Sequence, residues 1–159
     1  MNIFILSRSP RRAAQHHGDK HVVKMILETA QLLYTAHWLT HPERLHEGAY
    51  KKTHANHPCA IWARATLQNY MWLCALGFWL CREYTFRYGK THKTEARILW
   101  LITHPPDLPD AGPTPFAQAM PDEYRHDDPV VAYRTYYLQN KVRQRGIVSY
   151  TKRSAPEWT

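Results

Sequence analysis

Acidic residues are missing from both ends of this chain. None precedes Asp19, and none lies between residues 129 and 156. Cysteine is scarce as well. Cys59, Cys74 and Cys81 are an odd number, and no two of them form a Cys-x-x-Cys pair. That excludes a disulfide framework and a thioredoxin-type redox motif, and it points to reduced thiols in a cytoplasmic protein. Long apolar runs are also absent. The longest, YMWLCALGFWLC at residues 70–81, falls short of the roughly 20 residues a membrane-spanning helix needs, so it reads as a buried helix and no membrane partner is expected. The opening IFIL is only four residues before Ser7 and Arg8, too short for a secretory core. There is no internal repeat and no low-complexity segment. No metal motif is complete either. His17 and His21 have i,i+4 spacing, but Gly18 stands where the zinc-protease helix carries glutamate, and His54, His57 and Cys59 lack further partners. No metal and no cofactor are expected.

What the sequence does have is positive charge. The formal net charge is +8 with histidine neutral, which favours a polyanion partner or an anionic substrate. Arg8, Arg11 and Arg12 lie in the acid-free start. Arg134, Lys141, Arg143, Arg145, Lys152 and Arg153 lie in the acid-free tail, interleaved with Tyr133, Tyr136, Tyr137 and Tyr150. Two readings of that tail stand side by side. Its cations could track phosphates while its rings stack on bases. Alternatively, its tyrosines pack on the core and its cations stay in water.

With 44% hydrophobic and 21% charged residues the chain should fold, and 159 residues suit one domain. Residues 2–6 form a short strand or an extended arm, broken at Ser9-Pro10. A helix is expected at 17–39 and a second, long one at 58–88. Pro58 suits the second helix's first turn behind a cap at Asn56 or His57, and Gly89 ends it. A shorter helix follows at 93–103. Residues 104–128 are a proline-rich loop with Phe116, Met120 and Tyr124 as apolar anchors, so the loop should pack down. A last helix spans 129–141, capped by Asp128. The expectation is a mainly α, compact single-domain fold with one long central helix and a long proline-rich loop. Its parts would be a core at 1–93, the packed loop at 104–128 and a basic aromatic C-terminal helix and tail at 129–159.

The first long helix is unusual. Lys20, Lys24, Glu28, Gln31 and Thr35 fall within about 80° of one another on a wheel of 100° per residue. Val22, Val23, Met25, Ile26, Leu27, Ala30, Leu32 and Leu33 cover most of the rest. A surface helix has a polar face about as wide as its apolar one. A narrow polar strip implies a helix wrapped on most sides, with the strip paired inside the fold or lining a cleft. Lys24–Glu28 could be a plain ion pair, in the weaker of the two i,i+4 orders. In a cleft, a carboxylate between apolar walls and amines suits acid/base work, and an amine crowded by cations suits nucleophilic attack. The second helix carries Trp62, Asn69, Leu76 and Glu83 every seven residues, with Arg87 beyond. Glu83–Arg87 reads as an intrahelical ion pair. Asn69, in an apolar setting, needs partners.

KMILETAQLL at 24–33, NHP at 56–58 with Trp62, and LCREYTFRYG at 80–89 together resemble a divergent phage and bacterial branch of the pyrimidine-dimer DNA glycosylase family, the endonuclease V type. That branch carries Lys-x-x-x-Glu-x-x-Gln on its first long helix and Asn-His-Pro opening the second. The resemblance covers roughly residues 1–93. It implies a compact helical repair enzyme that breaks the glycosidic bond of a damaged or modified pyrimidine, and it makes Glu28 the acid/base residue. An amine attacks the sugar C1′ to form a Schiff base, and in bifunctional members an AP-lyase step follows. Reaching the bond in a duplex requires flipping a nucleotide. Lys24, Lys20 or the α-amine of Met1 would be nucleophile or sugar-phosphate contact, and His21 and His57 would donate to the leaving base or a phosphate. Lys20, Asn56, His57, Arg64, Lys90, His92, Lys93 and Arg143 are candidate nucleic-acid contacts. Two positions depart from the pattern. Residue 2 is Asn, behind which methionine is usually retained, and Leu27 stands where the family has arginine before its glutamate. The expected partner is duplex DNA with a damaged or modified base, bound by a monomer. Another phage nucleotide- or base-modifying enzyme on the same scaffold, or a non-enzymatic nucleic-acid-binding module, is the alternative.

Overall fold

Two helices of similar length pack against each other at the centre of the fold and supply nearly half of the buried apolar side chains among the described residues. α1 is Pro10–His16, α2 is Asp19–Trp38, α3 is Pro58–Ala65, α4 is Leu67–Tyr88, α5 is Glu95–Thr103 and α6 is Pro129–Tyr136. The computed structural model describes residues 1–143 and 148–159, so Arg145 lies outside the described residues. Among these residues there is no strand, and no helix is long and apolar enough to cross a membrane. The fold is all-helical.

The termini of the helices follow simple chemistry. Ser9 caps α1 by accepting from the Arg12 N–H, and Pro10 occupies the first turn. Asp128 does the same for α6 through the Val130 N–H. Gly89 closes α4 at φ +69, a left-handed conformation that a side chain would strain.

The single long helix expected at 58–88 is two helices. Thr66 is extended (φ −142, ψ 159), ending α3 and capping α4 through the Asn69 N–H. The apolar pattern runs through the break, which hid it. The break is held by Asn69, whose amide donates to the Trp62 carbonyl (2.9 Å) and to Thr114 Oγ1 (2.7 Å) and accepts from the Thr114 N–H (3.0 Å). The same residue therefore pins the proline-rich loop. The Leu67 N–H donates to the Pro109 carbonyl, and Phe116 packs between Trp62 and Trp72. The loop is packed down, with Met120 buried.

α1 itself was not expected. Its seven residues follow the Ser9-Pro10 break, and α2 begins after it at Asp19 rather than at His17. α5 begins at Glu95 rather than at residue 93. α4 approaches α2 and α5 closely at Gly77, where a methyl group would come within 3.0 Å of Ile98 and 3.1 Å of Thr29.

Residues 1–6 are an extended arm. Ile3, Phe4, Ile5 and Leu6 are all buried in the core. α6 continues as a π-helical segment, Tyr137–Arg143. Tyr133 and Tyr137 are fully buried, so the tail's aromatic residues serve the core and these two cannot stack on bases. The tail is also fastened by charge. Asp19 accepts from Ser149, from the Thr151 backbone and hydroxyl, and from Arg87 at 2.9 Å. Glu83 takes Arg153 in a two-pronged pair (2.8–3.0 Å) and also Arg87 at 3.4 Å. The Glu83–Arg87 pair is thus a buried node joining α2, α4 and the C-terminal segment.

Candidate active site

The arm delivers the first residue of the chain to the polar strip of α2. The α-amine of Met1 lies 3.6 Å from Glu28 Oε1, and the Glu28 side chain is only 13% exposed. Lys24 Nζ approaches the same oxygen at 4.0 Å from the solvent side. These groups line a pocket of about 140 Å³ with Asn2, Phe4, His21, Met25, Tyr136 and Lys141.

Each wall is fixed from behind. Asn2 donates to the Ala119 carbonyl (2.9 Å), and its Oδ1 accepts from the Ile3 N–H (2.8 Å) and the Cys59 thiol (3.5 Å). The Tyr133 hydroxyl, 2.7 Å from the Ala117 carbonyl and 3.1 Å from Asn2 Oδ1, shares its one proton between them. His21 Nδ1 meets the Tyr137 hydroxyl at 2.7 Å, and that hydroxyl accepts from the Gly18 N–H. Phe4 packs against both rings. Lys141 reaches over the rings of Tyr136 and Phe4 at 5.6 and 6.0 Å.

His57 caps α3 by accepting from the Cys59 N–H. Its pKa is lowered, first by burial, then by the charges of the Met1 amine and His54, with Glu28 pulling the other way. It therefore sits within electrostatic reach of the Met1–Glu28 pair. Burial pushes the Cys59 thiol up to about 11, so it is a protonated donor to Asn2 and not a nucleophile.

Of the four catalytic candidates, Met1, His21, Lys24 and Glu28 all meet in this pocket. The nucleic-acid candidates are scattered. Lys20, Asn56, Lys90, Lys93 and Arg143 are exposed. Arg64 is half-buried and donates to the Ala55 carbonyl at 2.8 Å, holding the loop before α3. His92 is a correction. It is 7% exposed, with Nε2 against the Val23 carbonyl and Nδ1 accepting from the Thr94 N–H, so it ties α5 to α2 and is not placed for a phosphate. The strip divides too, because Thr35 is buried and bonds the Gln31 and Thr53 carbonyls. His17 is buried with Nδ1 on the Ala13 carbonyl, and burial drives its pKa to about 3. Sequence reasoning missed Asn2, Tyr136 and Tyr137, whose roles arise only when the arm folds back on α6. Among the described residues, no group of three or more His, Cys, Asp or Glu side chains is arranged to hold a metal.

No protein-family model matches the chain, and no curated protein and no solved structure is significantly similar to it.

Proposed function

We propose that the chain is a DNA glycosylase that excises a damaged or modified pyrimidine, a divergent relative of the pyrimidine-dimer DNA glycosylases. The observation that carries this reading is the Met1 amine held 3.6 Å from the carboxylate of Glu28 in a small polar pocket.

The chemistry follows from that pair. The amine, once uncharged, attacks C1′ of the damaged nucleotide. The bond from C1′ to the base breaks, and its electrons leave on the base, which takes up a proton. The new C1′–N bond becomes a Schiff base as the C1′–O4′ bond breaks: the amine gives up its proton, and O4′ keeps the bonding electrons and takes up a proton. Glu28 is the nearest proton acceptor. α-Amines as a class hold their proton less tightly than lysine side chains, which favours Met1 over the solvent-exposed Lys24. His21, held by Tyr137, faces the same pocket and is the donor for the leaving base. Lys24 and Lys141 line the same pocket and are the cations for the phosphates of a nucleotide bound there.

Glu28→Gln tests this. The variant should lose base release from a duplex carrying a thymine dimer, uracil or hydroxymethylated pyrimidine, and still bind the duplex. Unchanged release by the variant would rule out the acid/base role.

A further inference from the structure

The pocket at Met1 leaves one large charged cleft of the molecule unused. It lies between α1, α6 and the C-terminal segment, has a volume of about 700 Å³, and is lined by Arg12, His16, Arg134, Arg153, Glu157 and Trp158 among others. We infer that this cleft is a phosphate-ester binding site, with Arg12 and Arg134 as its two anion ligands.

Its cations are not equivalent. Arg153 is already neutralised by its two-pronged pair with Glu83. Arg134 spends only Nε, which donates to the Leu6 carbonyl at 2.9 Å. Its guanidinium lies against the Trp158 ring at 5.4 Å, which fixes its plane. Arg12 is exposed, and among the described residues no carboxylate lies within ion-pair distance of its guanidinium or that of Arg134. Glu157 is on the rim and pairs with neither.

The two arginines are close enough to repel. Arg134 has its pKa lowered, first by burial, with Asp128 pulling the other way and the charge of Arg12 adding a smaller push. His16 has its pKa lowered, first by burial, against the opposing contact with the Leu6 carbonyl, and then by the charges of Arg134 and Arg12. The Trp158 indole N–H can only donate, and it meets His16 Nδ1 at 3.2 Å. That leaves Nδ1 unprotonated, puts the ring proton on Nε2 and makes His16 a neutral donor. The Leu6 carbonyl, 3.3 Å from Nδ1, then belongs to Arg134.

Two guanidiniums lining one cleft with no carboxylate among the described residues in ion-pair contact, beside a histidine and an indole face, suit a phosphate. Arginine supplies paired N–H donors matched to phosphate oxygens. Asp128 offsets part of the positive field at Arg134, and a bound anion between the two guanidiniums would offset the rest. Tyr137 stands between this cleft and the Met1 pocket, 6.2 Å from the Trp158 ring and 5.2 Å from the rings of both His21 and Phe4. One strand bound across Tyr137 would bring its backbone phosphates to this cleft and a base to the other pocket. The phosphate could also be the terminal group of a free nucleotide.

Isothermal titration calorimetry decides between these sources. The titrants are thymidine 5′-monophosphate, thymidine, and a short single strand with and without a 5′-phosphate. The proteins are the wild type, Arg12→Gln and Arg12→Lys. Arg12 is exposed, so neither variant should change the melting temperature. Arg12→Gln should weaken phosphate binding about tenfold or more, and Arg12→Lys should recover part of it. Binding of the monophosphate but not of thymidine assigns the cleft to a terminal phosphate. Equal binding of both strands, weakened by Arg12→Gln, assigns it to the backbone. No binding of any phosphate, or binding that Arg12→Gln leaves unchanged, overturns the inference. The readout is binding and not base release, so it stands or falls apart from the Glu28 chemistry.

Discussion

The α-amine of Met1 and the carboxylate of Glu28 stand 3.6 Å apart, joined by an arm whose four apolar residues, Ile3 to Leu6, are buried in the core. The amine is therefore positioned by the fold and not by a free end. Adding a single residue ahead of Met1 would move the amine out by about one Cα spacing, ~3.8 Å. The extended protein should keep its melting temperature and lose at least about a hundredfold in base release, since misplacement by an ångström or so can cost that much. Release at the wild-type rate would remove Met1 from the mechanism. Mass spectrometry of the purified chains fixes the first residue in each case.

Asn2 is the positioning residue for that amine. Its side chain bonds the Ala119 carbonyl and accepts from the Ile3 backbone, Tyr133 and Cys59. Asn2→Ala should cost about 1–3 kcal/mol of stability, the usual penalty for leaving buried partners unpaired. It should also lower kcat more than it raises KM, while Asn2→Asp, which keeps the acceptor, should recover part of kcat. A stability loss with kcat unchanged would make Asn2 purely structural.

Glu83 and Arg87 are a structural pair, and removing one should expose that. Both side chains are almost wholly buried, and Glu83 also holds Arg153 from the C-terminal segment. Glu83→Gln removes the carboxylate that Arg153 meets and one of the two that hold Arg87, Asp19 remaining at 2.9 Å, and should destabilise the fold by about 1.5–3 kcal/mol. Chemical denaturation measures it. The same variant should release the segment at 148–159 to limited proteolysis.

Acid should weaken the fold through its neutral buried histidines. Burial lowers His17 to about 3 and His37 to about 4, against an ordinary value of 6.5. In both cases the unfolded chain takes up the proton first. Their contribution is therefore full above pH 6.5 and is lost as pH falls from there toward 4 and 3, at up to about 1.4 kcal/mol per pH unit for each group. Stability measured from pH 7.5 down to pH 4.5 should fall along that slope. His17→Gln, which cannot titrate, should flatten it. A wild-type slope that begins only below pH 5 would contradict this account.

Much of the fold was legible in the sequence because it is written locally. The apolar periodicity of α2, the stop at Gly89 and the proline-led starts of α3 and α6 all stand close to where they were expected. The break at Thr66 was not legible, because Ala65, Thr66 and Leu67 continue the apolar pattern and only the loop residue Thr114, bonded to Asn69, makes the kink favourable. The narrow strip on α2 pointed to a cleft and to Glu28. What it could not give is the partner across the cleft. Met1, Tyr136 and Lys141 come to line one pocket with Glu28 only when the arm and the C-terminal helical segment pack together. His92 misled for the opposite reason. A histidine between lysines looks exposed, yet here both of its nitrogens meet backbone atoms.

The most direct measurement is borohydride trapping on duplexes carrying an abasic site, a thymine dimer, uracil or a hydroxymethylated pyrimidine. The account predicts a covalent protein–DNA adduct with at least one of them, mapped by peptide mass spectrometry to the α-amine of Met1 and lost in Glu28→Gln. An adduct mapped to Lys20 or Lys24, or no adduct and no base release on any of these duplexes, would contradict it.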